Sequence, residues 1–163
     1  MNRIAVSILS LVALLYGAAL RAELPTKPVL TLEVALRIAD AAKEEALKRG
    51  STVVIVVVDE GGYPIVLERL NDTQVASVEV GIGKARTAAI FRRPSKEFED
   101  QVKNGRIAAL ALPGATPLQG GIPIEYKGKV IGAIGVSGNT PSEDEDIAIA
   151  GAAAAAQAIA NAR

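Results

Sequence analysis

Apolar residues fall along this chain in two distinct patterns, one with helical spacing and one as short continuous runs. From Leu32 they recur at Ala35, Leu36, Ala39, Ala42, Ala46 and Leu47, one face of an α-helix. Thr31 is placed to cap that helix, Glu33 suits its positive first turn, Lys48 and Arg49 suit its negative last turn, and Gly50 suits its stop. Residues 52–58 (TVVIVVV) carry no polar side chain beyond the first position and predict a central strand buried on both faces. Turn chemistry at Asp59-Glu60-Gly61-Gly62 followed by a second run, 63–70, predicts the returning strand of a hairpin. A second helix is expected over 75–91, ending before Pro94, and a shorter one behind Ser95 with Phe98 and Val102. Residues 121–126 and 129–137 predict a second hairpin across Lys127-Gly128. Thr140-Pro141-Ser142-Glu143 places an N-cap, a proline at the first helical position and a glutamate three residues after the cap, which opens an Ala-rich helix reaching nearly to Arg163. The segment 105–120 specifies no element.

Hairpins join antiparallel strands, so this order predicts an α/β chain of the α+β type. The expected architecture is a largely antiparallel sheet of about five strands flanked by helices, a profilin- or PAS-like three-layer arrangement. Residues 31–163 form a single domain, with 23–30, containing Pro25 and Pro28, as an extended lead-in. Ahead of it, Met1-Asn2-Arg3 is positive, 4–20 are uncharged and mostly apolar, and Gly17-Ala18-Ala19 and Ala22 offer small-residue cleavage sites. Residues 1–22 therefore read as a secretory signal peptide, and the mature protein is expected in the periplasm or the medium, without stable membrane insertion.

Composition then removes whole classes of chemistry. Among 163 residues there is no Cys and no His, which excludes thiol nucleophiles, Cys-zinc sites, Ser-His-Asp catalysis and His-ligated haem. Lys and Arg total 18 against 18 Asp and Glu; losing 1–22 removes Arg3 and Arg21 and leaves 16 against 18, a net −2. A near-neutral chain has no electrostatic footprint for nucleic acid. With aromatics at 3%, the core must be built from Val, Ile, Leu and Ala.

Between Glu79 and Glu97 the chain holds five cations and no acid: Lys84, Arg86, Arg92, Arg93 and Lys96. Lys84, Thr87 and Phe91 share one helix stripe, with Ile82, Ala85 and Ala89 on the opposite, core-facing side. An ammonium, a hydroxyl and an aromatic ring in line suit an anionic, partly apolar ligand; the same pattern also describes a solvated helix ending in a basic turn. Gly121, Gly132, Gly135 and Gly138 punctuate the second hairpin, where glycine lets another backbone or a ligand come close. Ser137 leads from it to the capped helix, whose first turn carries Glu143, Asp144, Glu145 and Asp146. Consecutive acids on a helix diverge, so they offset the macrodipole and no metal site is expected.

Taken together, these stretches resemble the GlcG/HbpS family, which includes the C-terminal domain of PduO-type proteins. The resemblance rests on Val57-Val58-Asp59-Glu60-Gly61-Gly62, Gly83-Lys84-Ala85-Arg86-Thr87-Ala88, Gly120-Gly121-Ile122-Pro123-Ile124, 132–138 and Glu143-Asp144, and covers about 30–160. It implies an antiparallel sheet flanked by helices, assembly into homo-oligomers, and haem or tetrapyrrole binding in some members. It also implies a haem-contacting threonine, placed here at Thr87. Without His, an iron could meet only a weak oxygen ligand, Lys84, Tyr63 or Tyr126. The expected ligand site is Lys84, Arg86, Thr87, Phe91, Arg92, Gly121, Pro123 and Ser137, in an exported binding protein for haem or another flat anion. Two alternatives stand beside it: an enzyme on a small hydroxy- or oxo-acid using Lys84 as base or Schiff-base nucleophile, and a regulatory oligomer partnering another exported protein.

Overall fold

The β-branched run in the first half of the chain becomes the strand around which the other elements are laid. In the computed structural model, which describes residues 24–162, the elements run α1 (Leu32–Arg49), β1 (Val54–Asp59), β2 (Pro64–Arg69), α2 (Ser77–Phe91), α3 (Lys96–Lys103), a 3-10 helix (Ile107–Ala111), β3 (Gly121–Tyr126), β4 (Lys129–Ser137) and α4 (Pro141–Asn161). The signal peptide expected at 1–22 lies outside the described residues. Each strand pair is antiparallel, in the order β2-β1-β4-β3. Among the described residues the sheet therefore has four strands where about five were expected. Only 105–120 was left to supply a fifth, and Pro113, Gly114 and Pro117 deny it the donors and regular backbone of a ladder.

Side chains alternate across β1, and each set has its own core. Ile55 and Val57 join Ala35, Ile38, Ala39 and Ala42 of α1 and Ile147, Ala148 and Ala155 of α4. Val54, Val56 and Val58 meet Ala85, Ala88 and Ala89 of α2. Three layers result, α1 and α4 on one face and α2 on the other, as the sequence predicted. Close approach between α1 and α4 depends on small residues. A Cβ on Gly151 would stand 3.0 Å from the Ile38 carbonyl oxygen and 2.6 Å from Ile134 Cδ1. The buried Ala face of α4 is thus spent within the chain, against α1 and the sheet.

Thr140 forms the expected capping box. Its Oγ1 accepts from the Glu143 amide, and the Glu143 carboxylate accepts from the Thr140 amide. The hydrogen bonds from Thr140 hold the Glu143 carboxyl below its ordinary range. Thr140→Ala should cost about 0.5–2 kcal/mol in chemical denaturation. A folded pKa below the unfolded one gives a contribution present above about pH 4.5 and lost as pH falls through the folded value, so the difference between parent and variant should narrow in acid.

Candidate functional site

The residues singled out on α2 and in the second hairpin do come together, but as packing. Gly121 and Gly135 are cross-strand partners facing α2. A Cβ at Gly121 would lie 2.2 Å from the Lys84 carbonyl oxygen, and one at Gly135 would lie 2.4 Å from that of Gly81. It is the backbone of α2, rather than a ligand, that these glycines admit. Ser137 is buried at the end of β4, its Cβ 3.8 Å from where Gly81 would carry one, and Pro123 is half-buried in β3.

Lys84 sits in this tight seam at 4% exposure. Its Nζ donates to Asp144 Oδ2 at 2.7 Å and to the Val136 carbonyl at 3.0 Å, while Asp144 Oδ1 accepts from the Asn139 amide. Burial pushes the Asp144 carboxyl up, against the pull of the Lys84 ammonium and the backbone amides. The expectation that Lys84 presents a cation to a ligand is therefore corrected: its charge is spent on Asp144, with no face open to a substrate. The same geometry removes it as an exposed base, Schiff-base nucleophile or iron ligand.

Thr87 is fully buried. Its hydroxyl donates to the Gly83 carbonyl at 2.8 Å and accepts from the Thr116 amide at 2.7 Å, pinning the otherwise irregular 113–118 segment onto α2. As placed, it contacts protein on both sides and offers nothing to a haem. Phe91 packs against Phe98 of α3 with ring centroids 4.9 Å apart and the ring planes tilted by 56°. Arg86 lies over the Tyr63 ring at 5.6 Å, beside the β1–β2 turn. The four acids that open α4 diverge as expected: Asp144 meets Lys84, Glu145 accepts from Gln119, Asp146 from Arg49, and Glu143 closes the cap. No group of acids among the described residues is arranged to hold a metal ion.

Of the expected site, Arg92 borders a cleft. It follows the last turn of α2 in the left-handed conformation, φ 56°, where glycine is the usual residue. Such a backbone costs about 1–3 kcal/mol at a non-glycine position and recurs at ligand sites. Arg92 lines an open cleft of about 520 Å³, walled by Ala89, by the lead-in at Lys27 and Pro28, by Glu60, and by the second hairpin at Glu125 and 128–131. Lys27 pairs with Glu60. Arg92, Lys129 and Glu125 make no ion pair within the described residues, leaving the cleft with one surplus positive charge beside the apolar Ala89, Val130 and Ile131. The hairpin residues Glu125 and Lys129 carried no sequence signal beyond flanking a turn, and Lys27 lay in a lead-in with no element of its own.

Comparison with known proteins gives one consistent answer. Residues 30–153 match the family model HbpS-like, described as haem degrading protein HbpS-like. Protein GlcG of Escherichia coli (strain K12) is 42% identical over 112 residues, covering 69% of this chain and 84% of that one. A double mutant of Streptomyces reticuli HbpS superposes with a TM-score of 0.76 at 35% identity, over 83% of this chain and 92% of the other. The structure of a PduOC–heme complex gives a TM-score of 0.71 at 28% identity, over 78% and 95%.

Proposed function

This chain belongs to the HbpS-like family, and from that premise we propose that it is a binding protein for a tetrapyrrole, held by its carboxylates in the cleft at the end of α2. One observation carries the reading. Among the described residues Arg92 and Lys129 make no ion pair and outnumber the unpaired Glu125 in a cavity whose volume, about 520 Å³, lies in the range of small-molecule sites, and apolar side chains adjoin them. Cations at an apolar edge fit a flat ligand with peripheral carboxylates. Haem is the ligand that the PduOC–heme complex supports as the first candidate.

The cleft fits the periphery of such a ligand but not an axial bond to its iron. Its lining contains no His, Cys, Met or Tyr, and Lys84 is committed to Asp144. Binding then rests on charge and apolar contact, and no step at the metal is assigned to the chain. Haemin and iron-free protoporphyrin should bind with affinities within about threefold of each other in absorbance titrations, because neither draws on a metal–ligand bond. Arg92→Ala should weaken both by about tenfold. Haemin binding unaffected by Arg92→Ala, or far tighter than protoporphyrin, would overturn the reading.

On the same proposal the protein works outside the cytoplasm, supported by the signal-like composition of residues 1–22. Among the described residues no helix is long and apolar enough to cross a membrane. Assembly into homo-oligomers also belongs to this reading, supported by Ile107, Leu110 and Leu118, which the 105–118 segment leaves exposed.

A further inference from the structure

A second cavity, of about 200 Å³, lies beside the cleft and has a different character. Its walls include Leu30, Val34, Tyr126, Ile131, Ile159 and Ala162, and no charged residue lines it. Pro28 and Ile131 line both cavities. They form a shared wall between a compartment with unpaired cations and one that is apolar. Pro28 belongs to the lead-in, which has no regular structure and whose neighbour Lys27 is held to Glu60 by an exposed ion pair. Pairs of that kind contribute little to stability, so the Pro28 side of this wall can move at small cost while Ile131 stays fixed in the core.

We propose that the apolar slot is the second compartment of the ligand site and takes the apolar body of an amphiphilic anion whose acidic group rests on Arg92 and Lys129. The inference deepens the proposed function and rests on it for the place of the anion. Charge complementarity alone would admit any small anion to the cleft. The adjoining slot adds a demand for apolar surface continuous with the acidic group, which selects amphiphilic carboxylates over small polar acids. Displacement of Pro28 makes the two compartments one.

Filling the slot tests this. Ala162 lies just past the end of α4 and is only partly buried, so Ala162→Phe adds bulk to the slot without opening the core. Three probes are titrated against the full chain: haemin, anilinonaphthalene sulfonate as an amphiphilic anion, and succinate as a polar one, the last by calorimetry. Circular dichroism confirms the fold of each variant. Ala162→Phe should weaken both amphiphilic probes by about tenfold and leave succinate unchanged, while Arg92→Ala should weaken all three. Amphiphile binding that is insensitive to Ala162→Phe overturns the two-compartment site. If haemin then still responds to Arg92→Ala, the tetrapyrrole reading survives without it. Should haemin fail to bind while the sulfonate dye binds and responds to both substitutions, the slot stands and the tetrapyrrole reading falls. If no amphiphile binds the parent, both fall.

Discussion

Replacing Lys84 with methionine should destabilise the domain by about 3–5 kcal/mol near pH 7, because it strands a buried carboxylate without its counter-charge. Asp144 is 2% exposed, and among the described residues the ammonium at 2.7 Å is the one cation bonded to it. The pH dependence follows from the direction of its shift. Burial already raises the Asp144 carboxyl, and removing Lys84 takes away the largest opposing pull. A folded pKa above the unfolded one means that the folded state binds the extra proton. Stability is then retained at low pH and lost as pH rises through the folded value. Urea denaturation of Lys84→Met should show a deficit that shrinks steadily on acidification from pH 7 toward pH 4. The double variant Lys84→Met/Asp144→Leu should recover most of the loss, since apolar residues of similar size can replace a buried pair at little cost. A single variant as stable as the parent at neutral pH would show that the pair is not buried as described.

Gly135→Ala should cost about 3 kcal/mol, the upper end for overpacking, and shift the denaturation midpoint accordingly. Its Cβ would press into the backbone of α2, the Gly81 oxygen at 2.4 Å and the Ala85 nitrogen at 2.5 Å, and neither can rotate away. Gly83→Ala provides the contrast. There the atoms nearest the new methyl belong to the Thr116 side chain, on an irregular segment that can shift by a few tenths of an ångström, so the cost should be smaller. Equal effects at the two positions would mean that α2 can lift from the sheet, and the seam would not be the rigid feature drawn from the geometry.

Those two positions also mark how far the sequence could be read. The VVIVVV run, both hairpins and the Thr140 capping box were legible because each rests on local chemistry: β-branching, turn glycines, a cap with its reciprocal glutamate. Start points moved by a residue or two, as α2 shows by beginning at Ser77 rather than at 75. Lys84 was legible as important and misread in role. Spacing put it on a stripe with Thr87 and Phe91, yet nothing in one helix announces that Asp144, sixty residues on, will neutralise it. The glycines of β4 signalled close approach correctly without saying by what. The cleft was the least visible feature. It is assembled from the lead-in, a turn, a helix end and a hairpin, and although Arg92 and Glu60 each stood in a pattern that drew attention, neither pattern placed them in one cleft.

The strand order has a consequence for how the chain reaches this state. β1 with β2, and β3 with β4, are local hairpins closed by short turns, whereas β1 joins β4 across most of the domain, with Val54 opposite Ser137. Local closure is fast, and the entropy of the long loop must be met before the central pairing returns any energy. Until then β1 and β4 each present an open edge of Val and Ile to other chains. The strand that is best protected in the folded domain is thus the most exposed to misassociation before the two hairpins have docked.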